Sequence, residues 1–146
     1  MTRILLLLLL STSPAFASSQ TPLSAAAGSE PKVLADKAMK FLATNDLKGM
    51  FGYIQTIMPM EKNELEKTRD TSISQRKMLP ATLGAYVGYA FIGECRKSDQ
   101  VSRVTFIEKR ARNFIRWEFV FYKPRDKWQL SAFYWDTKNS EVFASC

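Results

Sequence analysis

The sequence predicts an α+β fold in which N-terminal helices pack on a curved, four-stranded antiparallel meander sheet. Two observations lead to this fold class. Between Val33 and Met58 the apolar residues recur at the spacing of amphipathic helices. After Pro80 apolar and polar residues alternate instead, and the polar links between the alternating segments are too short for helical crossovers, so neighbouring strands are expected to run antiparallel.

The segment before the helices, residues 1–17, is expected to be a signal peptide that is removed on export. Arg3 provides a basic start, Ile4–Leu10 is apolar throughout, and Ala15-Phe16-Ala17 supplies the small residues of a cleavage site. The apolar run is shorter than the about 20 residues of a membrane-spanning helix, so the chain is predicted not to be transmembrane after signal removal. We therefore predict a periplasmic or secreted protein.

Residues 18–29 are rich in Ser, Ala, Thr and Gly, which is typical of a flexible leader, and residues 30–146 are predicted to form a single α+β domain. The first helix is expected to begin near Pro31, since proline is tolerated in the first turn of a helix. The second carries Leu47–Met58. The third, Glu61–Met78, is charged and predicted to be mostly exposed.

Asp70-Thr71-Ser72 is expected to interrupt the third helix, and Pro80 to end it. Four strands follow, and their predicted bounds are Gly84–Cys95, Val101–Arg110, Asn113–Lys123 and Trp128–Asp136. Alternation points Arg116 and Glu118 away from the core. The core face is predicted to carry Val104, Phe106, Ile115, Trp117, Phe119, Phe121, Trp128, Leu130 and Ala132.

Composition narrows the function classes. The chain contains no histidine, which removes Ser-His-Asp and Cys-His catalysis and every zinc site that uses histidine. Arg3 is the one charged residue before Ser18, so 20 of the 21 basic residues and all 14 acidic residues remain in the mature chain, a net charge of +6. Such a charge attracts anionic surfaces, including lipid headgroups, acidic polysaccharide and nucleic acid, and selects none of them.

The two cysteines are Cys95 and Cys146. In an oxidising compartment they can pair, closing a loop of about 50 residues. Two alternatives stay open at this point: Cys95 is a buried free thiol, or Cys146 pairs between chains.

The order of helices followed by an aromatic meander that ends in Lys127–Asp136 resembles the nuclear-transport-factor-2-like superfamily. The resemblance covers about residues 31–143 and includes no exact motif. It implies a cone-shaped fold with a cavity between sheet and helices, which relatives use for binding small molecules, for acid–base chemistry or as core. Enzymatic members place Asp, Tyr or His in the cone; without histidine, no catalytic residue is carried over to this chain.

Six aromatic residues are candidates for the lining of a cone mouth that binds an apolar ligand, and ordinary core packing is the alternative for all of them. They are Tyr53, Tyr89, Trp117, Phe119, Trp128 and Tyr134. On the opposite sheet face, a patch beside Arg116 and Glu118 is predicted to mediate a homodimer. It comprises Val120, Tyr122, Phe133 and Trp135.

Two basic clusters, Lys109–Arg112 and Lys123–Lys127, are expected at opposite ends of the meander, which argues against a dedicated nucleic-acid site. No cofactor and no metal site is implied.

We predict an exported, non-enzymatic binding or accessory module that holds an apolar small ligand or docks on a cell-envelope partner. Two alternatives stay open: a cofactor-free isomerase or hydrolase using Asp and Tyr in the cone, with Asp136 as the base, and a structural subunit of an envelope assembly.

Overall fold

Four helices precede a four-stranded sheet, which confirms the predicted α+β fold class. The computed structural model describes residues 30–144 and Cys146, so the predicted signal peptide and leader, residues 1–29, lie outside the described residues. The helices are α1 (Pro31–Ala43), α2 (Leu47–Ile57), α3 (Lys62–Arg76) and α4 (Leu79–Leu83).

The helix boundaries follow from local chemistry. Pro31 occupies the first turn of α1. A backbone N–H there would have no acceptor within the helix, so the N–H that proline lacks is not needed. The side chain of Asp46 caps α2 by accepting a hydrogen bond from the Gly49 N–H over 2.8 Å. The predicted break at Asp70–Ser72 is wrong: α3 is continuous, because Ser72 and Arg76 are buried on its inner side. Burial of that side outweighs the weak helix propensity of these residues.

The sequence predicts that Pro80 ends the third helix; α3 ends earlier, at Arg76, and Pro80 lies in the first turn of a further short helix, α4. Proline suits this position for the same reason as in α1. The turn between the second and third strands holds α4 in place, because Arg112 donates its N–H to the carbonyl of Leu83 over 3.0 Å.

The strands are β1 (Tyr86–Ser98), β2 (Val101–Arg110), β3 (Phe114–Tyr122) and β4 (Gln129–Asp136). Their spatial order is the same as their order in the chain, and every neighbouring pair is antiparallel, as the short links predict. Register shifts interrupt β1 at three places and β4 at one. Bulges of this kind bend a strand locally and increase its twist.

The bulge in β4 overturns part of the predicted alternation. Val120 pairs with Ala132 but Phe121 pairs with Leu130, so Ser131 is an extra residue that has no partner in β3. One extra residue inverts the facing of all residues that follow it. Ala132, predicted on the core face, therefore lies on the outer face.

The hydrophobic core lies between the helices and the inner face of the sheet. Its largest fully buried side chains are Trp117, Phe106, Phe119, Phe121, Met39, Met50, Ile54, Ile115 and Leu130. The core residues predicted in β2 and β3 are all in this layer, which confirms the alternation read there.

A C-terminal strap, defined as residues 137–144 together with Cys146, crosses the outer face of the sheet. It includes a 3₁₀ helix over Asn139–Phe143, and its end is joined to β1 by the disulfide Cys95–Cys146. Lys97 also donates a hydrogen bond to the Cys146 carbonyl over 2.6 Å. Of the alternatives open for the cysteines, the structure contains the intramolecular pair.

Candidate functional site

A buried carboxylate, Glu108, lies on the core face of β2, where its side chain is 0 % exposed. Arg76 donates two hydrogen bonds to it, from Nη1 to Oε2 over 2.8 Å and from Nη2 to Oε1 over 2.9 Å. Arg110 Nε donates to Oε1 over 2.7 Å, and Trp117 Nε1 donates to Oε2 over 3.0 Å. These four residues form what is called here the Glu108 centre.

Three elements bring the Glu108 centre together. Arg76 is the last residue of α3, so its side chain reaches down to the sheet from the helical layer. Glu108 and Arg110 are two apart in β2 and therefore share a face, and Trp117 comes from the neighbouring strand β3. The guanidinium of Arg76 also lies over the rings of Trp117 and Trp135, at 5.6 and 5.9 Å from their centroids.

The Glu108 centre carries an unbalanced charge. Among the described residues, the ion pairs of Arg76 and Arg110 both go to Glu108, so two guanidinium groups share one carboxylate. Both arginine side chains are more than nine-tenths buried. A net charge of +1 therefore lies at the edge of the core, where water compensates it less than it would at the surface.

The arginines keep Glu108 ionised. Burial by itself raises the pKa of this carboxyl, but the hydrogen bonds and charge of Arg76, together with Trp117 and Arg110, outweigh burial and lower the pKa below its ordinary value. A carboxylate held in this way is a poor general base near neutral pH, since its affinity for protons is reduced.

The lowered pKa of Glu108 predicts acid sensitivity. A carboxyl whose pKa is lower in the folded state contributes stability that is complete above its unfolded pKa and is lost as the pH falls through the folded value. We expect the free energy of unfolding in urea to decline as the pH falls from about 6 to about 3, and Glu108→Gln to flatten this decline. Equal decline in Glu108→Gln and in the wild type would contradict the assignment; Glu64→Gln, at an exposed position of α3, is the matched control.

A cleft of about 470 Å³ adjoins the Glu108 centre, between the α1–α2 turn and the end of α3. Arg76 lines both the Glu108 centre and this cleft, which is called the basic cleft below. The residues around it are Asn45, Asp46, Leu47, Lys48, Ile73, Arg76, Lys77 and Pro80.

A second ionic cluster lies on the outer face of the sheet. Arg116 contacts Asp136 over 2.7 Å, Glu118 over 3.0 Å and, in the C-terminal strap, Glu141 over 3.8 Å. The pKa of Asp136 is lowered, because its hydrogen bonds with Arg116 and with the Lys138 N–H outweigh the effect of burial. Arg116 and Asp136 are cross-strand partners on the outer face of the sheet, so Asp136 does not lie between the sheet and the helices.

The six predicted ligand residues do not meet around one cavity. Trp117, Phe119 and Trp128 are buried in the packed core. Tyr53 donates its hydroxyl hydrogen to the Leu34 carbonyl, and Tyr89 donates to Asp36. A role in ligand binding stays a prediction for these five residues. Trp117, Phe119 and Trp128 pack in the core, which is the alternative stated for them.

The predicted position of the sixth residue, Tyr134, is wrong. Tyr134 pairs with Glu118, so it lies on the outer face of the sheet, and its hydroxyl donates a hydrogen bond to the Glu118 carboxylate. The cause is the extra residue Ser131, which inverts the facing of the end of β4.

The same inversion divides the predicted dimer patch. Phe133 and Trp135 pair with Phe119 and Trp117 on the core face, and both pack against the core. Val120 is half-buried and Tyr122 is 46 % exposed. The four residues therefore do not form one surface, and the homodimer stays a prediction.

Sequence reasoning missed the Glu108 centre, although one signal for it was present. Val104, Phe106 and Glu108 occupy successive core-facing positions of β2, so alternation alone places an acidic residue inward. An inward acid requires a basic partner. Nothing local identifies Arg76 as that partner, since it is separated from Glu108 by 32 residues.

Within residues 30–144 and Cys146, no group of three His, Cys, Asp or Glu side chains is placed to hold a metal ion. None of the described helices has the length and apolar character to cross a bilayer.

In comparisons with family models, curated proteins and solved structures, none matches this chain. The resemblance to the nuclear-transport-factor-2-like superfamily therefore stays a prediction.

Proposed function

We propose that this chain is an exported, non-catalytic docking module that holds an extended segment of a cell-envelope partner along the free edge of β4. The observation that carries the proposal is the edge of β4 beside a groove: its segment Ala132–Trp135 is uncharged, and within residues 30–144 this edge pairs with no other strand. The packing of the interior and the state of the titratable groups support docking over the other function classes.

The filled interior favours docking over an apolar ligand inside the cone. Trp117 and Phe119 stack at 6.2 Å between ring centroids, and Phe106 meets Phe119 edge to face at 6.4 Å. Phe51 of α2 contacts Phe133 of β4 edge to face, with 5.6 Å between the ring centroids. Side chains in such contact occupy the volume that a ligand would need.

The titratable groups favour docking over acid–base catalysis. The carboxyls of Glu108 and Asp136 are paired with arginines and have lowered pKa values. Burial and the hydrogen bond with Asp36 raise the pKa of Tyr89 to about 12. A general acid or base works best with a pKa near the operating pH, and these three groups are shifted away from it.

The two edges of the sheet differ in how well they are protected against pairing. The edge strand β1 contains three register shifts and the charged residues Glu94, Arg96 and Lys97, and such features prevent a further strand from adding. The segment Ala132–Trp135 of β4 is regular and uncharged. Every second residue there directs its N–H and C=O away from β3.

A groove of about 370 Å³ runs between β4 and α3. Its α3 wall consists of Lys67, Thr68, Thr71, Ser72 and Gln75, and its β4 wall of Phe133, Tyr134 and Trp135. A groove bounded by an edge strand and a helix suits a peptide that adds as a further strand: main-chain hydrogen bonds supply affinity, and the walls select its side chains.

Site-specific photocross-linking in the native host tests this proposal. A benzoylphenylalanine at Thr71, an exposed position on the groove wall, is expected to yield one discrete protein adduct. The same residue at Asn63, exposed on α3 outside the groove, is the control and is expected to yield none. Equal adducts at both positions, or no adduct at Thr71, would contradict docking. Native mass spectrometry that finds a stoichiometric small molecule and no protein partner would favour the apolar-ligand function instead.

A further inference from the structure

The basic cleft is a further concave site, on the opposite flank of α3 from the β4 groove. It lies where α1 turns into α2 and where α3 ends. Its volume of about 470 Å³ is within the range of sites that bind small molecules. The proposed docking along β4 uses none of its residues.

Apolar side chains form part of the cleft wall. Leu47 begins α2 and is almost fully buried, Ile73 comes from the inner side of α3 and is half-buried, and Pro80 comes from the start of α4. Three separate elements therefore contribute carbon surface to one depression. Apolar area left accessible in a concave site is available to a hydrocarbon ligand.

Positive charge surrounds this apolar wall. Lys48 and Lys77 are exposed, and within residues 30–144 neither forms an ion pair. Asp46 is the one acidic residue of the lining, and its carboxylate is already engaged as the cap of α2. Three cations against one engaged carboxylate give the cleft a net positive charge.

Arg76 connects the cleft with the unbalanced charge behind it. Its two Nη atoms bind Glu108, which Arg110 shares, so the pair of arginines retains one uncompensated positive charge. A guanidinium has five N–H donors, and two of those of Arg76 are used by the Glu108 carboxylate. An anion in the cleft would approach the remaining donors and balance this charge.

From this arrangement we infer that the basic cleft binds a single-chain anionic amphiphile. Its head group would contact Arg76, Lys48 and Lys77, and its hydrocarbon chain would lie on Leu47, Ile73 and Pro80. A carboxylate and a phosphate monoester offer the same chemistry to these cations. The ligand class is therefore defined by an anion on an apolar chain.

Titration of the mature protein with decanoate, decyl phosphate and decanol, followed by ¹H–¹⁵N NMR, tests the inference. Decanoate or decyl phosphate is expected to shift the amides of residues 45–48 and 73–79 saturably. Decanol, acetate and inorganic phosphate each lack one half of the ligand and are expected to bind at least about tenfold more weakly. Whichever of the two anions binds more tightly identifies the head group as carboxylate or phosphate.

Charge removal provides the decisive comparison. The double variant Lys48→Gln/Lys77→Gln is expected to weaken decanoate and decyl phosphate about tenfold, since each exposed charge contributes a few-fold to affinity. Lys127→Gln/Lys138→Gln removes the same charge from exposed positions away from the cleft and is expected to leave affinity unchanged.

Three results would overturn the inference: unchanged affinity in Lys48→Gln/Lys77→Gln, decanol binding as tightly as the anions, or shifts that appear along β4 instead of the cleft. A failed cross-link at Thr71 would not affect it, because the two experiments probe different faces. Circular dichroism of both double variants verifies that they fold.

Discussion

Glu108→Gln is expected to lower the free energy of unfolding by about 3–5 kcal/mol, among the largest effects of any single substitution in this chain. The substitution keeps the shape of the side chain and removes its charge. Arg76 and Arg110 would then remain buried with no carboxylate, because both pair with Glu108 alone among the described residues. Removing one partner of a buried ion pair is costly for this reason, even where the intact pair contributes little by itself.

Urea unfolding at neutral pH measures this effect, with Glu64→Gln as the matched control. Glu64 is exposed on α3, so its substitution is expected to change the free energy of unfolding by less than about 0.5 kcal/mol. A Glu108→Gln variant as stable as the control would mean that the two guanidinium groups find compensation elsewhere, and the argument for an unbalanced charge at the basic cleft would fail with it.

Replacing both cysteines, as Cys95→Ser/Cys146→Ser, is expected to destabilise the protein by about 4 kcal/mol. The bond joins residues 51 apart and so removes much of the freedom of the unfolded chain. In the folded state it fixes the C-terminal strap, whose Glu141 contributes to the charge around Arg116. Release of the strap would also remove the contact between Arg116 and Glu141, which adds only a little to the loss because Glu141 is half exposed.

Guanidinium unfolding of the double variant, with and without a reducing agent, provides the measurement. Reduced wild-type protein is expected to unfold at the same denaturant concentration as the variant, and the reducing agent is expected to leave the variant unchanged. If oxidised wild type and variant unfold together, the disulfide does not stabilise the domain. A single Lys97→Gln variant, which removes the hydrogen bond with Cys146 but keeps the disulfide, separates the two contacts of the strap.

The interpretation of the sheet from the sequence succeeded in β2 and β3 and failed in β4. In β3 the core-facing Ile115, Trp117, Phe119 and Phe121 alternate without interruption, so their burial follows from a period of two. In β4 the same rule fails beyond Leu130, because Ser131 is an extra residue. A bulge is defined by two residues of one strand that face a single residue of the partner strand, so the sequence of β4 alone does not show it.

The candidate site was less accessible to sequence reasoning than the fold. Aromatic residues dominate the pattern and predict a ligand between the sheet and the helices, where Trp117 and Phe119 are buried in the core. The charged residues that now define the site looked ordinary: Arg76 ends a polar helix, and Lys48 and Lys77 are exposed. Their significance depends on neighbours contributed by other elements.

The sequence by itself determined the order of helices and strands, the antiparallel meander and the core face of its two central strands. These features depend on residue spacing and on link length, which are local properties of the chain. The tertiary structure alone decided the facing of the end of β4, the ion pair between Arg76 and Glu108 across 32 residues, and the strap closed by Cys95 and Cys146. Each of these joins segments that are distant in the chain, and a contact between distant segments exists only once the packing of the whole domain has brought them together.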